Sequence, residues 1–156
     1  MLEDEGMEEE RMTTLNNIAV TTIPAIRYVD ANKAIEWLKS SLGFTEKAVY
    51  RNDSGAVMHA ELLLGNGMVM VGTAGAIQQT AHWFVQPKAA GGVTGSVYLI
   101  VPECAPVYAS AKAAGAEILQ ELETKEYGGA AFIVRDPEGF IWSVGEYNPW
   151  ATDATA

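Results

Sequence analysis

Hydrophobic and polar positions follow one order of periodicities along the first half of the chain. The β-branched stretch 18–28 predicts a strand, and the apolar positions of Ala31–Leu42 recur on one face at helical spacing. Asp30 is a favourable N-cap for this helix and Gly43 a favourable C-terminal cap. Three further strands are predicted at 44–51, 57–64 and 68–72, the last two joined by a turn at Gly65-Asn66-Gly67. The first half therefore has the predicted order βαβββ.

The second half repeats this order. It predicts a strand at 96–101, a helix at 105–114 and strands at 117–122, 131–135 and 140–147. The interval from Val29 to Gly43 equals that from Val101 to Gly115. A period of about 70 residues is too long for a solenoid repeat and indicates a duplicated supersecondary unit. We therefore expect an α+β protein with one module at 18–73, a linker at 74–94 and a second module at 95–148.

The two ends of the chain fall outside this repeat. Residues 1–12 hold six acidic side chains against Arg11. A solvated or frayed terminus and a short helix are both compatible with this composition, and we expect residues 1–17 to be a flexible acidic segment. Residues 149–156 form the expected C-terminal tail. The net charge of −10 argues against binding to nucleic acid or to an anionic membrane surface.

Composition and cysteine content narrow the cellular setting. The chain has 156 residues, which favours one domain or two small modules that share a sheet. No apolar run approaches the roughly 20 residues of a membrane span, and the acidic start is unlike a secretory signal. The single cysteine, Cys104, excludes an internal disulfide framework and fits a reducing cytoplasm. We expect a cytoplasmic protein, with Cys104 either an inert buried thiol or a nucleophile.

Three short motifs bring a family into view. They are Leu42-Gly43-Phe44, Met58-His59-Ala60-Glu61-Leu62 and Asp136-Pro137-Glu138-Gly139-Phe140-Ile141-Trp142. In this order the chain, over residues 18–148, resembles the vicinal oxygen chelate superfamily. That group contains glyoxalase I, extradiol dioxygenases, and fosfomycin- and bleomycin-resistance proteins. The resemblance implies that both βαβββ modules form a curved mixed sheet around a cavity, and that two chains form a homodimer whose clefts both complete.

The resemblance also implies where a metal would bind. Metal-dependent members use four equivalent positions, which fall on Ile23, Glu61, Ser96 and Ser143. Only Glu61 is a metal-ligand type, because divalent ions prefer imidazole, thiolate or carboxylate. A shift of two residues on the first strand would offer only Ala25 or Arg27. We therefore expect no cofactor, and a divalent metal held by Glu61 with rearranged partners is the alternative.

Strand alternation selects the candidate ligand-binding residues. His59 leaves its strand on the same side as Glu61, and the two could be a hydrogen-bonded pair lining the cavity or an acid–base pair. An apolar cavity would raise the pKa of Glu61. On the second module, alternation separates Ser143 from Trp142, and the register that the resemblance implies turns Tyr98 and Ser143 toward the cavity while Trp142 packs in the core.

Aromatic side chains outside the regular strands form a second candidate set. The linker carries His82-Trp83-Phe84, and Tyr127 is predicted in the turn before the seventh strand. Trp83 could cap a ligand, as loop aromatics do in resistance proteins of the superfamily. The linker aromatics could equally pin the linker to the sheet or pack at a dimer contact.

Three functions are compatible with these residues. The first is a metal-independent protein that binds a small apolar or aromatic molecule, of the drug- or toxin-sequestering, antibiotic-resistance type, with His59, Glu61, Trp83, Tyr98 and Ser143 around the ligand. The second is a superfamily enzyme, a lyase, isomerase or dioxygenase, that uses Glu61 as metal ligand or general base. The third is a structural or regulatory protein whose cavity is filled by its own side chains. Whether the protein is an enzyme stays open at this stage.

Overall fold

The structure, a computed structural model, describes residues 2–126 and 128–151. Tyr127, expected in a turn, and residues 152–156 of the expected tail lie outside the described residues. The regular elements, in chain order, are α1 (Leu2–Asn16), β1 (Ala25–Tyr28), α2 (Ala31–Leu42), β2 (Thr45–Arg51), β3 (Val57–Leu64), β4 (Gly67–Thr73), α3 (Gln78–Ala81), α4 (Pro87–Ala90), β5 (Val97–Ile100), α5 (Cys104–Ala113), β6 (Glu117–Thr124), β7 (Ala130–Arg135) and β8 (Ile141–Gly145).

Strand pairing divides the eight strands into two four-stranded mixed sheets, one from each half of the chain. The first sheet has the order β1-β4-β3-β2 and the second the order β5-β8-β7-β6. The pairs β1–β4 and β5–β8 are parallel, and the other pairs in both sheets are antiparallel. The predicted duplication of a βαβββ unit and the α+β class are confirmed.

Helix α2 begins and ends where the sequence predicts. The Asp30 carboxylate accepts a hydrogen bond from the backbone N–H of Lys33 at 3.1 Å, which satisfies one of the free donors of the first turn. Gly43 has a φ of +84°, the left-handed conformation that ends a helix. Both signals act on backbone atoms within a few residues, which is why the local sequence predicts them.

Several segments differ from their predicted form. The linker contains the short helices α3 and α4, and β8 ends at Gly145, before the predicted position 147. The strand predicted at 18–28 is shorter, because parallel pairing with β4 starts at Ala25 opposite Met70. Pro24 has no N–H to donate, and only its carbonyl accepts from the backbone of Met70, at 2.9 Å. The acidic start forms helix α1, and the side chains of residues 4–16 are exposed. The flexibility of residues 1–17 stays a prediction.

One core is shared by both modules. It contains the buried faces of both sheets and of helices α2 and α5, with Trp142 and Phe132 among its largest side chains. The two helices meet where the Ser110 hydroxyl donates to the Ser41 carbonyl at 2.8 Å. The expected core position of Trp142 is confirmed, since its side chain is fully buried and contacts the edge of Phe44.

The β7–β8 turn, residues 136–139, joins the two modules. Asp136 is 4% exposed and its carboxylate accepts from the hydroxyl of Tyr28 on β1 at 2.7 Å. The same carboxylate accepts from the indole N–H of Trp142 at 3.1 Å and from the backbone N–H groups of Glu138 and Phe140. Glu138 accepts from the backbone N–H groups of Val29 and Asp30, at 2.6 and 3.0 Å. This turn is therefore a structural junction.

Candidate functional site

Each sheet buries one face in the common core and leaves the other face open. On the first sheet, one row of side chains on the open face runs across all four strands. Strand pairing aligns Ala25 with Met70, Met70 with Glu61, and Glu61 with Ala48. The neighbouring core-facing side chain Ala60 is fully buried, as alternation along β3 requires. Glu61 therefore lies near the centre of this open face.

The Glu61 carboxylate has two basic neighbours. The Lys47 ammonium donates to Glu61 Oε2 at 3.0 Å, and His59 Nε2 lies 3.5 Å from Glu61 Oε1. The imidazole of His59 stacks on the ring of Tyr50, with 6.2 Å between the ring centroids. A register shift between Glu46 and Ala48 places Lys47 beside Glu61, although regular alternation would separate them. The polar group on this face is thus Lys47, Glu61 and His59 together.

This arrangement lowers the pKa of Glu61. The largest cause is the hydrogen bond from Lys47, His59 adds to it, and burial opposes both. The expectation of a raised pKa is therefore wrong, because it assumed an apolar surrounding without a neighbouring cation. A carboxylate with a lowered pKa is ionised at neutral pH and is a weak base.

The residues at the four equivalent metal positions do not fit a divalent ion. Ile23 and Ser96 precede β1 and β5, and Ser143 on β8 offers only a neutral hydroxyl. Within residues 2–126 and 128–151, no group of three or more His, Cys, Asp or Glu side chains could hold a metal. Glu61 alone supplies a suitable donor, and its carboxylate already pairs with an ammonium group.

The open face of the second sheet carries the other predicted strand residues. Tyr98 pairs with Ser143 across β5 and β8, and alternation leaves Tyr98 44% and Ile100 38% exposed. The Tyr98 hydroxyl donates to the Tyr147 carbonyl at 2.7 Å. A Cβ atom at Gly145 would lie only 2.4 Å from that hydroxyl oxygen, so glycine is required for this position of the phenol.

The linker contacts the first sheet through one of its aromatic residues. The Phe84 ring lies under the Arg27 guanidinium, 5.2 Å from its central carbon to the ring centroid. Trp83 is 68% exposed and touches the edge of His82. Phe84 therefore fits the expectation that the linker is pinned to the sheet. The proposed capping role of Trp83 stays a prediction.

The predicted site residues fall into two groups on different sheets. His59 and Glu61 are in contact on the first open face, and Tyr98 and Ser143 are strand neighbours on the second. Sequence reasoning missed Lys47, because a β-bulge is not visible in the hydrophobic pattern. It considered Arg27 only as a metal ligand, although its place in β1 indicated the same face as Ala25.

Two clefts lie beside the junction turn and away from these groups. One, of about 450 Å³, lies between the turn and the segment Pro87–Gly92. The other, of about 440 Å³, lies between the turn and helix α2, against Trp37. Neither is lined by a predicted site residue. Within the described part of the chain, no helix is long and apolar enough to cross a membrane.

Comparisons with known proteins agree with this architecture. The sequence profile of the Glyoxalase/Bleomycin resistance protein/Dioxygenase superfamily matches residues 15–144. The solved structure of TioX from Micromonospora sp. ML1 is 30% identical and has a TM-score of 0.65, covering 83% of this chain and 99% of its own. A superfamily member from Sphaerobacter thermophilus shares the fold at 19% identity and a TM-score of 0.59, covering 83% of this chain and 98% of its own.

An uncharacterised protein of Mycobacterium tuberculosis is also similar. It is 24% identical over 139 residues, which cover 89% of this chain and 81% of the relative. The profile match spans both βαβββ modules and includes the Glu61 and Ser143 positions. The chain belongs to the glyoxalase/bleomycin resistance protein/dioxygenase superfamily.

Proposed function

We propose that this protein binds a small apolar or aromatic molecule without a metal, and that it does so as a homodimer. The observation that carries the proposal is the state of Glu61, the one metal-ligand type among the four equivalent positions. Its carboxylate is paired with the Lys47 ammonium at 3.0 Å. Membership of the superfamily supports a ligand site on the open sheet faces, since the group includes both enzymes and binding proteins.

The chemistry of the site favours a binder over a metalloenzyme. A divalent ion at Glu61 would have to displace Lys47 and would then find an aliphatic side chain and two hydroxyls at the other positions. A general-base role for Glu61 is also disfavoured, because Lys47 and His59 lower its pKa. Glu61 serves instead as a fixed acceptor that orients Lys47 and His59 on the open face.

The open faces carry exposed aromatic and apolar side chains. Tyr50 on the first face and Tyr98 and Ile100 on the second are all exposed. Where such side chains form one contiguous patch on a soluble protein, the patch commonly marks a surface that a partner or ligand covers. In a homodimer, the open face of one chain would lie against that of its partner, and a ligand held between them would be removed from water.

Native mass spectrometry of freshly purified protein tests metal independence and the homodimer together. We expect a dimer without stoichiometric metal, with or without a co-purified small molecule. A bound divalent ion, or a rise in melting temperature on adding Ni²⁺, Zn²⁺, Mn²⁺ or Fe²⁺, would contradict metal independence and favour the enzyme alternative. A monomer at micromolar concentration would contradict the homodimer.

A thermal-shift panel of aromatic compounds tests binding itself. A ligand present at 100 times its Kd stabilises the folded state by about 2.7 kcal/mol. Ser143→Trp places a bulky ring on the second open face and should abolish the shift. Ser40→Trp, on the exposed side of α2, is the matched control and should retain it. No shift with any compound, or an equal shift in both variants, would contradict a ligand site on this face.

A further inference from the structure

Arg27 is a half-buried cation on the open face of the first sheet. It lies on β1 and pairs with Gly72 of β4, one step along β1 from the row that contains Glu61. Continuing the antiparallel register of Ala60 with Val71 places His59 on the far side of Gly72. Arg27, His59 and Glu61 thus belong to one surface, about two strand spacings or 10 Å across.

The guanidinium is held in a defined orientation by apolar contacts. The Phe84 ring supports it from the linker at 5.2 Å, and its Nη1 atom lies 3.3 Å from the point where a Gly72 Cβ would stand. The side chain therefore runs close over the backbone of β4, and any larger residue at position 72 would crowd it. Because contact with an aromatic face leaves the N–H groups at the guanidinium edge available, this arrangement orients donors without using them.

Arg27 makes no ion pair and no hydrogen bond through its side chain with any other residue in 2–126 or 128–151. Lys33, Lys88 and Lys112 also lack an acidic partner within these ranges, but all three are exposed to water. Arg27 differs because partial burial removes part of its hydration while nothing in the described chain replaces it. Acidic side chains outnumber basic ones in this chain, whose net charge is −10, so a half-buried cation without an acidic partner points to an anion from outside the chain.

We propose that the ligand carries an anionic oxygen group, a carboxylate or sulfonate on an apolar body, and that Arg27 binds that group. This inference rests on the proposed ligand-binding function and adds the charge of the ligand to it. The planar guanidinium can donate two parallel hydrogen bonds to such a group. The apolar body then lies along the first open face toward the exposed ring of Tyr50, which pairs with His59 on the same face.

The electrostatics of the first open face agree with this assignment. Arg27 and Lys47 contribute two positive charges, while Glu61 contributes one negative charge that Lys47 already pairs with. The residual charge at Arg27 is therefore positive, which selects an anion over a neutral molecule of the same shape.

Two dyes that share one scaffold provide the test. 8-Anilino-1-naphthalenesulfonate carries a sulfonate, and N-phenyl-1-naphthylamine is the same scaffold without it. Fluorescence titration of the full-length protein should show one dye per chain, with the sulfonate dye bound at least about tenfold more tightly. Arg27→Gln should remove this preference by weakening the sulfonate dye about tenfold and leaving the neutral dye within about twofold.

Matched variants separate the role of Arg27 from general effects of charge and folding. Arg51→Gln makes the same charge change on β2 of the same sheet, where Arg51 donates to Asn32, and should leave both affinities unchanged. Arg27→Lys keeps the charge and should recover part of the sulfonate affinity. Circular dichroism and melting temperature check that each variant is folded.

Each outcome has a distinct meaning. If neither dye binds, the proposed ligand-binding function fails and the assignment of Arg27 fails with it. If both dyes bind the natural protein equally, or Arg27→Gln weakens them equally, the function stands and the anionic ligand is refuted. If Arg27→Gln dissociates the dimer in light scattering, Arg27 pairs with an acidic group of a second chain, which also overturns the proposal.

Discussion

Replacing Asp136 with asparagine should destabilise the protein far more than a change from carboxylate to amide normally does. The Asp136 carboxylate is almost fully buried and accepts four hydrogen bonds. An asparagine Oδ1 can still accept from the backbone N–H groups of Glu138 and Phe140. Its amide nitrogen, however, would stand where Oδ2 accepts from Tyr28 and Trp142, and a nitrogen that carries two hydrogens cannot accept either bond.

The magnitude follows from the two bonds lost. A buried indole N–H left without an acceptor costs about 1–3 kcal/mol, and a hydrogen bond to a charged group contributes about 1.5–3 kcal/mol. The new amide can donate to the Tyr28 hydroxyl oxygen, which offsets part of the loss. We expect Asp136→Asn to cost about 3 kcal/mol. Tyr28→Phe removes one of the four donors and should cost about 2 kcal/mol.

Urea unfolding at a fixed protein concentration, followed by circular dichroism, measures both values. Asp53→Asn, the same chemical change in the exposed turn after β2, is the control and should stay within about 0.5 kcal/mol of the natural protein. A variant that combines Asp136→Asn with Tyr28→Phe should lose less stability than the sum of the two single losses, because both changes remove the same hydrogen bond. A loss below about 1 kcal/mol for Asp136→Asn would refute the assignment of the turn as a junction.

The difference in stability between the natural protein and Asp136→Asn should depend on pH with a definite sign. Burial is the largest influence on Asp136 and raises its pKa, while the hydrogen bonds it accepts oppose that effect. The folded protein therefore holds this proton to a higher pH than the unfolded chain does. Stability is lost as the pH rises from 3.8, the ordinary aspartate value, through the raised pKa. Since asparagine does not titrate, the difference in free energy of unfolding between the natural protein and the variant should become smaller over that pH range.

Three smaller predictions concern the second module. Gly145→Ala should displace the Tyr98 phenol and cost about 1–3 kcal/mol in urea unfolding, whereas Gly95→Ala, at an open position, should have little effect. Cys104 is fully buried and its pKa is raised to about 11, chiefly by burial, so a thiol reagent at pH 8 should label it only after unfolding; rapid labelling of folded protein would contradict this. Glu146 accepts from two backbone N–H groups, which lowers its pKa, so the stability that its carboxylate contributes should disappear as the pH falls from 4.5 through the lowered value. Glu146→Gln should therefore be as stable as the natural protein in acid and less stable at neutral pH. A stability difference that does not change with pH would refute this origin.

Local signals account for the parts of the fold that the sequence predicted well. Helix α2 has the predicted bounds because Asp30 and Gly43 act on their own neighbours. Alternation puts Trp142 and Tyr98 on opposite faces of the second sheet, and the register implied by the family resemblance assigned Trp142 to the core, which its burial confirms. The expected place of Tyr98 at the cavity stays a prediction. β1 was predicted too long, since β-branched residues favour extended backbone but do not specify where a partner strand begins.

The candidate site was less predictable, because its contacts depend on irregular backbone. Lys47 reaches Glu61 through a β-bulge, and alternation along β2 would have put it on the other face. Phe84 reaches Arg27 through a linker whose path is set by tertiary contacts. A pattern of hydrophobic residues places a strand residue on a face, but it does not identify which charged side chains neutralise one another there.

The contact made by the junction turn limits how related chains can be recombined. The second module supplies the accepting carboxylates of Asp136 and Glu138. The first module supplies the donors, which are the Tyr28 hydroxyl and the backbone N–H groups of Val29 and Asp30. A chimera that joins the first module of one homologue to the second module of another keeps these hydrogen bonds only where the first supplies a hydroxyl at position 28 and the second supplies carboxylates at positions 136 and 138. The two halves share one βαβββ order, but each supplies a different side of this contact.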